Sequence, residues 1–230
     1  MQQLPLDLIQ APAPSLDNFV VGPNAEALDV ITLIASGQAP ARIVFLSGPA
    51  GSGKTHLLQA LASLPDCGQF DQSPPAPAEP LKTLWVADNI SSLPENRLQD
   101  LFNLINALRS EPNSCLVAAD MQRAAQLTIR EDLRTRLASG LVIGLELLSD
   151  EQKAHALGQY AQARGLNAAD NVLTWLLTHQ DRDIRHLMAY LDAVDRDALQ
   201  KRRQLTLPLL REFERKHRSG PAADKIETQS

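Results

Sequence analysis

Eight consecutive residues, Gly48, Pro49, Ala50, Gly51, Ser52, Gly53, Lys54 and Thr55, carry the strongest chemical pattern in the chain. Glycines at these spacings let the backbone turn tightly, so that its N–H groups can wrap phosphate oxygens at a helix N-terminus. Lys54 would reach the β- and γ-phosphates, and the Thr55 hydroxyl would help to hold Mg2+. The flanks suit this chemistry: the apolar run Ile43 to Leu46 can deliver the loop, and the run from His56 to Leu61 can continue as a helix. The bland alternative is a glycine-rich turn between strand and helix. With every motif position matched and both flanks correct, the sequence favours binding of ATP or ADP.

A nucleotide site of this kind also needs an acid at the end of a neighbouring strand. Leu84 to Asp88 supplies an apolar run ending in an acid, and Asp88 would hold magnesium, usually through water. The residue after it is Asn89, where many such ATPases place a second acid that polarises the attacking water. An amide can orient water and cannot accept its proton, which predicts slow intrinsic hydrolysis. Asp120 ends the next strand and would place a polar group near the γ-phosphate; an acid in a turn is an equally good reading. Arg136, just before the last strand, could project into a neighbour's site, and an arginine given in trans accelerates phosphoryl transfer by roughly 10³–10⁵. Arg185, on a later helix, could close over the chain's own nucleotide. From the residues alone, either arginine reads as well as a solvated helix cation.

The elements that must position these residues follow from the pattern of apolar runs. Strands are expected at 43–46, 81–87, 114–119 and 141–145, separated by helices at 24–36, from the loop to about Leu64, 95–110 and 129–138. Short apolar strands alternating with helices predict a parallel α/β sheet flanked by helices. From Ser149 the pattern is helical only, at 150–164, 168–179, 182–202 and 208–217, opening with a capping-box-like Ser149 to Gln152. The expected organisation is an N-terminal arm (1–15), a nucleotide domain (16–148), a small all-helical lid (149–218) and a disordered tail (219–230). Residues Pro65 to Pro80, with Pro74, Pro75 and Pro77, read as an exposed linker. The arm carries Gln3 and then Leu4, Leu6 and Leu8 at alternate positions, a strip that suits a partner's groove or self-association.

Composition bounds the partners. With 44% hydrophobic residues the chain can build a core, and a net charge of −5 gives no global attraction to nucleic acid. The basic cluster Arg211, Arg215, Lys216, His217 and Arg218 could touch DNA, although cations near a helix C-terminus also complement its dipole. Cys67 and Cys115 form neither metal spacing nor a disulfide framework, and no apolar run is long enough to span a bilayer. A cytoplasmic protein with no membrane partner is expected.

The stretch Leu16 to Gly22, the loop Gly51 to Leu58 and the strand ending at Asp88 resemble the DnaA branch of AAA+ ATPases. With the arm added, the similarity is to the regulatory inactivators within that branch, over roughly residues 3 to 215. The resemblance implies that Gln3, Leu4, Leu6 and Leu8 dock on the DNA polymerase sliding clamp, and that Asn18, Phe19, Val20 and Val21 sit near the adenine, beside the loop and His56. It implies that Asp120 is the first sensor, Arg136 a trans arginine finger aimed at ATP held by DnaA, and Arg185 the lid sensor. Asn89 also agrees with the resemblance. The interval from Lys54 to Asp88 is short for this branch, so an edge strand is expected to be missing or rudimentary. Met121 to Ala125 lacks the prolines usual after the first sensor. Only the twelve residues 219–230 follow the lid, too few for the helix-turn-helix domain of an initiator.

The function implied is an adaptor that binds nucleotide and the DNA polymerase III β sliding clamp, contacts DNA indirectly through it, and stimulates hydrolysis of DnaA-bound ATP. An autonomous ATPase, acting as a helicase loader or remodelling factor, is the alternative. A clamp-bound scaffold with no catalytic contribution is the third reading.

Overall fold

The computed structural model describes residues 12–70, 82–111, 113–166, 170–179 and 183–218. The arm positions Gln3, Leu4, Leu6 and Leu8, the proline cluster at 74–77 and the tail from Ser219 lie outside the described residues. Five strands, β1 (Ile43–Ser47), β2 (Cys67–Gln69), β3 (Leu84–Ala87), β4 (Cys115–Asp120) and β5 (Leu141–Gly144), form one sheet in the order β2-β3-β4-β1-β5. Every pairing in it is parallel. The helices before Ser149 are α1 (Ala25–Ala35), α2 (Lys54–Ala62), α3 (Glu95–Leu108) and α4 (Glu131–Ala138).

Successive strand residues point to opposite faces, and here each face has its own cover. Val44, Leu46, Val86 and Val117 share a core with Ile31 of α1 and Leu57 of α2. Phe45, Trp85 and Leu116 turn the other way, onto Leu101 of α3 and Leu133 of α4. Burial on both sides is why the strands read as continuous apolar runs instead of alternating ones. Register then sets the chemistry. Ser47 pairs with Asp120, so the end of β4 lies beside the start of the glycine loop. The chain leaves β1 toward α2 on one face and leaves β4 toward α4 on the other. In open parallel sheets ligands gather at the strand C-termini where connections diverge in this way.

The edge strand is present but rudimentary, one of the two outcomes expected from the short interval between Lys54 and Asp88, and it corrects the linker reading of Pro65 to Pro80 where that stretch is described, up to Phe70. Cys67, Gly68 and Gln69 pair with Leu84, Trp85 and Val86, and Phe70 is fully buried with the Arg97 guanidinium 4.5 Å from its ring centroid. Gly68 is required by close approach, because a Cβ there would lie 2.5 Å from the Trp85 ring. The Asp66 carboxylate accepts from the Thr83 hydroxyl at 2.6 Å and from its N–H at 3.2 Å, tying the two strand starts together. None of this has a sequence period. It depends on Trp85 and Arg97, which follow well after the proline cluster.

The chain divides at Ser149, with Pro14–Leu148 forming the sheet unit. The second unit contains α5 (Asp150–Ala163), α6 (Asp170–His179), α7 (Ile184–Gln200) and α8 (Leu207–Arg218). Ser149 and Gln152 form a reciprocal capping box: Ser149 Oγ accepts from Gln152 N at 3.1 Å, and Gln152 Oε1 accepts from Ser149 N at 2.8 Å. α7 contributes the largest buried face of this unit, including Leu187, Tyr190, Leu191 and Val194, and Phe213 of α8 meets Tyr190 edge to face at 5.6 Å. Among the described residues, no helix is long and apolar enough to cross a membrane.

Candidate functional site

The loop from Gly48 to Thr55 leaves β1 and enters α2 with Gly48, Gly51 and Gly53 at φ of 153°, 82° and 99°. These values lie where residues with a Cβ are rarely found. Gly53 faces a second demand, since a Cβ there would lie 2.7 Å from the Phe19 ring. It also stands in the N-cap position of α2, where no side chain caps the helix. The first N–H groups of α2 therefore keep their capacity to donate to an anion.

Lys54 is almost fully buried, and its ammonium sits in the bowl of the loop. It donates to Gly48 O at 2.7 Å, Pro49 O at 2.9 Å and Ser52 Oγ at 3.4 Å. Burial pulls its pKa below the usual lysine value, while the charges of Asp88 and Asp120 push the other way. Next to it, the Thr55 hydroxyl donates to Asp88 Oδ2 at 2.6 Å, joining the loop to the end of β3. The other oxygen of Asp88 accepts from Asn89 N at 2.9 Å. Asn89 is exposed at φ 50°, ψ 51°, a left-handed conformation that Asn tolerates better than most residues with a side chain. Its amide identity thus has a backbone reason beside any role toward water.

Asp120 is buried to 2% exposure and spends both oxygens on backbone. Oδ2 accepts from Ser91 N at 2.7 Å and Oδ1 from Gln122 N at 3.1 Å. It braces the loop after β3 against the loop after β4, and its charge is felt at Lys54. Ser91 is a site neighbour that the sequence does not reveal, since it enters through its backbone N–H alone.

Phe19 is buried against the other side of the loop, with its ring edge-on to His56 at 5.4 Å. His56 Nε2 lies 2.8 Å from Ser15 O, and Val20 and Val21 are half-buried. Asn18 closes a local turn with Ser15 through Asn18 Oδ1 and Ser15 N at 2.9 Å. Asn24 anchors this segment. Its side chain does not cap α1; it donates to Glu146 O at 3.0 Å and accepts from Glu146 N at 2.8 Å, holding the segment to the chain leaving β5. An Asn before a helix gives no local hint of such a bond.

The structure thus brings together Phe19, Lys54, Thr55, His56, Asp88 and Asp120. Arg136 has other company. On α4, its guanidinium lies 4.2 Å from the centroid of Phe102, and Nη1 donates to Asn106 Oδ1, both residues on α3. Arg185 belongs to the helical unit, near the start of α7, where it lies 3.4 Å from Asp183 Oδ2. The two cysteines are free and buried, and burial pushes the Cys67 thiol up to about 11 and Cys115 up to about 12.

The residues present fit a nucleotide with magnesium. The ammonium of Lys54 already satisfies carbonyl acceptors in the loop bowl, and Thr55 and Asp88 present two oxygen donors in contact. No group of three or more His, Cys, Asp or Glu among the described residues could form an all-protein metal cage. The paired Thr55 and Asp88 oxygens suit magnesium, which is held by one or two protein oxygens together with phosphate and water.

Comparison with known proteins agrees with this fold. The family described as Hda, lid domain, matches residues 150–213. A protein of Haemophilus influenzae, described as uncharacterized, is 30% identical over 229 residues, covering 92% of this chain and 98% of its own length. Among solved structures, domain III of the Thermotoga maritima replication initiation protein DnaA superposes with a TM-score of 0.68 at 19% identity, over 94% of this chain and 99% of that one. AMPPCP-bound DnaA from Aquifex aeolicus gives 0.65 at 19%, over 91% and 71%. The Thermotoga maritima RuvB branch migration motor gives 0.60 at 15%, over 89% and 72%.

Proposed function

This chain belongs to the Hda-like, DnaA-related family of AAA+ proteins, and from that premise we propose that it is a nucleotide-bound adaptor that stimulates hydrolysis of ATP held by DnaA and so limits initiation of DNA replication. One observation carries the reading: among the described residues the cation expected to act on phosphate, Arg136, makes its side-chain contacts on α3 and none in this chain's own loop. Its partners are a phenyl ring and a neutral amide on α3, so its charge is undiminished. The chain has Asn89, just after β3, where a water-polarising acid would stand. A cation without an own substrate and a site without an own base make sense when the two halves of a hydrolytic apparatus belong to different molecules.

Under this reading ATP or ADP is held by the chain's own residues. The loop N–H groups and Lys54 would pair its phosphates, with Lys54 giving up its bonds to Gly48 and Pro49. Thr55 and Asp88 would hold Mg2+, and the bound ion supplies positive charge that balances the phosphates. Phe19, Val20 and Val21 would flank the base, Asp120 would fix the loops that bound the site, and Arg185 would close the lid over it. The nucleotide acts chiefly to set the shape in which Arg136 is presented. The arm residues Gln3, Leu4, Leu6 and Leu8 would dock on the sliding clamp, which brings the adaptor to DNA.

The test is DnaA–ATP hydrolysis with and without DNA-loaded clamp. Stimulation is expected to need the clamp, to vanish in Arg136→Ala while clamp binding survives, and to fall with clamp pull-down in the Leu6→Ala, Leu8→Ala double variant. A strong steady-state ATPase of the chain alone would support the autonomous enzyme instead. Unchanged stimulation by Arg136→Ala would leave only a scaffold.

A further inference from the structure

Arg136 lines a hollow of about 790 Å³ between the end of α3 and α4, together with Arg109, Arg130, Glu131, Asp132 and Thr135. Its three arginines are not equivalent. Arg130 is neutralised within the chain: Nε donates to Asp132 Oδ1 at 3.2 Å and Nη2 to Asp132 Oδ2 at 2.5 Å, with Nη1 donating to Gln99 Oε1. Arg136 keeps its full charge because its partners are neutral. Arg109 stands exposed just past the C-terminus of α3, and its guanidinium bonds no side chain among the described residues. Two uncompensated cations therefore face one hollow, opposed there only by the exposed carboxylate of Glu131. In a chain whose net charge is −5, this is a local reversal of sign.

Resting on the function proposed above, we infer that Arg109 is a second cation of the same hollow, drawing in the polyphosphate of the nucleoside triphosphate held by the neighbouring ATPase. Arg136 acts on the reacting phosphoryl group; Arg109 steers and positions the anion that carries it. The division follows from geometry. Arg136 is fixed by a ring and an amide, as a group must be to meet a transition state. Arg109 has no such support, and a long exposed cation acts through the field it adds within the ~8–10 Å over which salt leaves charges visible. Such a charge changes encounter and its salt dependence more than the chemical step.

The experiment titrates the full-length protein, with DNA-loaded clamp, against ATP-loaded DnaA at several salt concentrations, using wild type, Arg109→Ala, Arg109→Lys and Arg136→Ala. Arg109→Ala is expected to raise the concentration giving half-maximal stimulation about 3- to 10-fold and to flatten its salt dependence, with the maximal rate kept within about twofold. Arg109→Lys should restore most of the difference, because a point charge suffices for steering. Arg136→Ala should abolish the maximal rate. If Arg136→Ala is inactive while Arg109→Ala matches wild type at every salt concentration, the role of Arg109 is overturned and the adaptor reading stands. A loss of maximal rate in Arg109→Ala without a shift in half-maximal concentration also overturns it. Full activity of Arg136→Ala overturns the adaptor reading and this inference together.

Discussion

The hydroxyl of Thr55 donates to the carboxylate of Asp88 at 2.6 Å, a bond that spans the gap between the first turn of α2 and the end of β3. Both residues are the oxygen donors expected for magnesium, and they are held in contact by strands placed two apart in the sheet. The bond preorganises the pair, so that an ion with phosphate ligands needs little rearrangement of the protein to be bound.

From this pair comes the first prediction. Asp88→Asn keeps the shape and removes the charge, and should weaken the magnesium-dependent part of nucleotide affinity by about 10–100-fold, the range for groups acting near or through metal-bound water. Calorimetric titration of ADP with magnesium and with EDTA measures it. The variant should show nearly equal affinities under the two conditions; a wild-type magnesium effect would remove Asp88 from the ion.

Asp120 gives a prediction about stability. Asp120→Ala removes a buried acceptor from the N–H groups of Ser91 and Gln122, which lie on exposed residues where water can partly replace it. A fully buried orphaned donor costs about 1–3 kcal/mol, so urea denaturation should report a loss toward the lower end of that range. Asp120→Asn, which keeps one acceptor oxygen, should lose less. Equal losses would mean that the carboxylate matters for its charge and not for the brace.

The cysteines report on the edge strand. With thiols raised to about 11 and about 12 by burial, neither should be alkylated in the native protein at neutral pH. Cys67 lies in a three-residue edge strand, and Cys115 in the six-residue β4 within the sheet. Local opening is easier at an edge with few backbone bonds. Mass spectrometry of a slow alkylation should therefore find Cys67 modified well before Cys115. Simultaneous labelling would show that β2 opens only with the whole sheet.

Acid should act on the helical unit through Glu212. Hydrogen bonds from Lys201 and then Arg203 hold its carboxyl down to about 2, against an ordinary value of 4.5. The folded state therefore favours the charged form. The contribution is present above about pH 4.5 and is lost as pH falls through about 2. The pair is exposed, so its effect is small and salt-sensitive. Urea melts of wild type and Glu212→Gln should differ at pH 6 and converge toward pH 2. A constant difference across that window would assign the effect to packing.

Legibility in the sequence follows how local each structural demand is. The glycine loop was readable because its demands are local: a turn, a helix start, one lysine and one hydroxyl in fixed succession. Strands β1, β3 and β4 were readable because burial on both faces leaves unbroken apolar runs, β5 because its short run Leu141 to Ile143 is apolar although only Ile143 is buried, and the α5 capping box because its two partners are three residues apart. β2 was not, since Cys67 and Gly68 are buried by Trp85 and its neighbours and not by any pattern of their own.

The sequence by itself determined the glycine-rich loop, the alternation of strands and helices, and which side chains have the chemistry to meet a phosphate or a partner. Tertiary structure alone decided that Thr55 bonds Asp88, that Asp120 spends its oxygens on two loops, that Asn24 reaches Glu146 instead of capping α1, and that Arg130 is neutralised while Arg136 is not. The reason is physical. Residue type and short spacing fix what the backbone can do nearby, whereas the charge and reach of a side chain depend on which distant groups sheet register and helix packing set beside it.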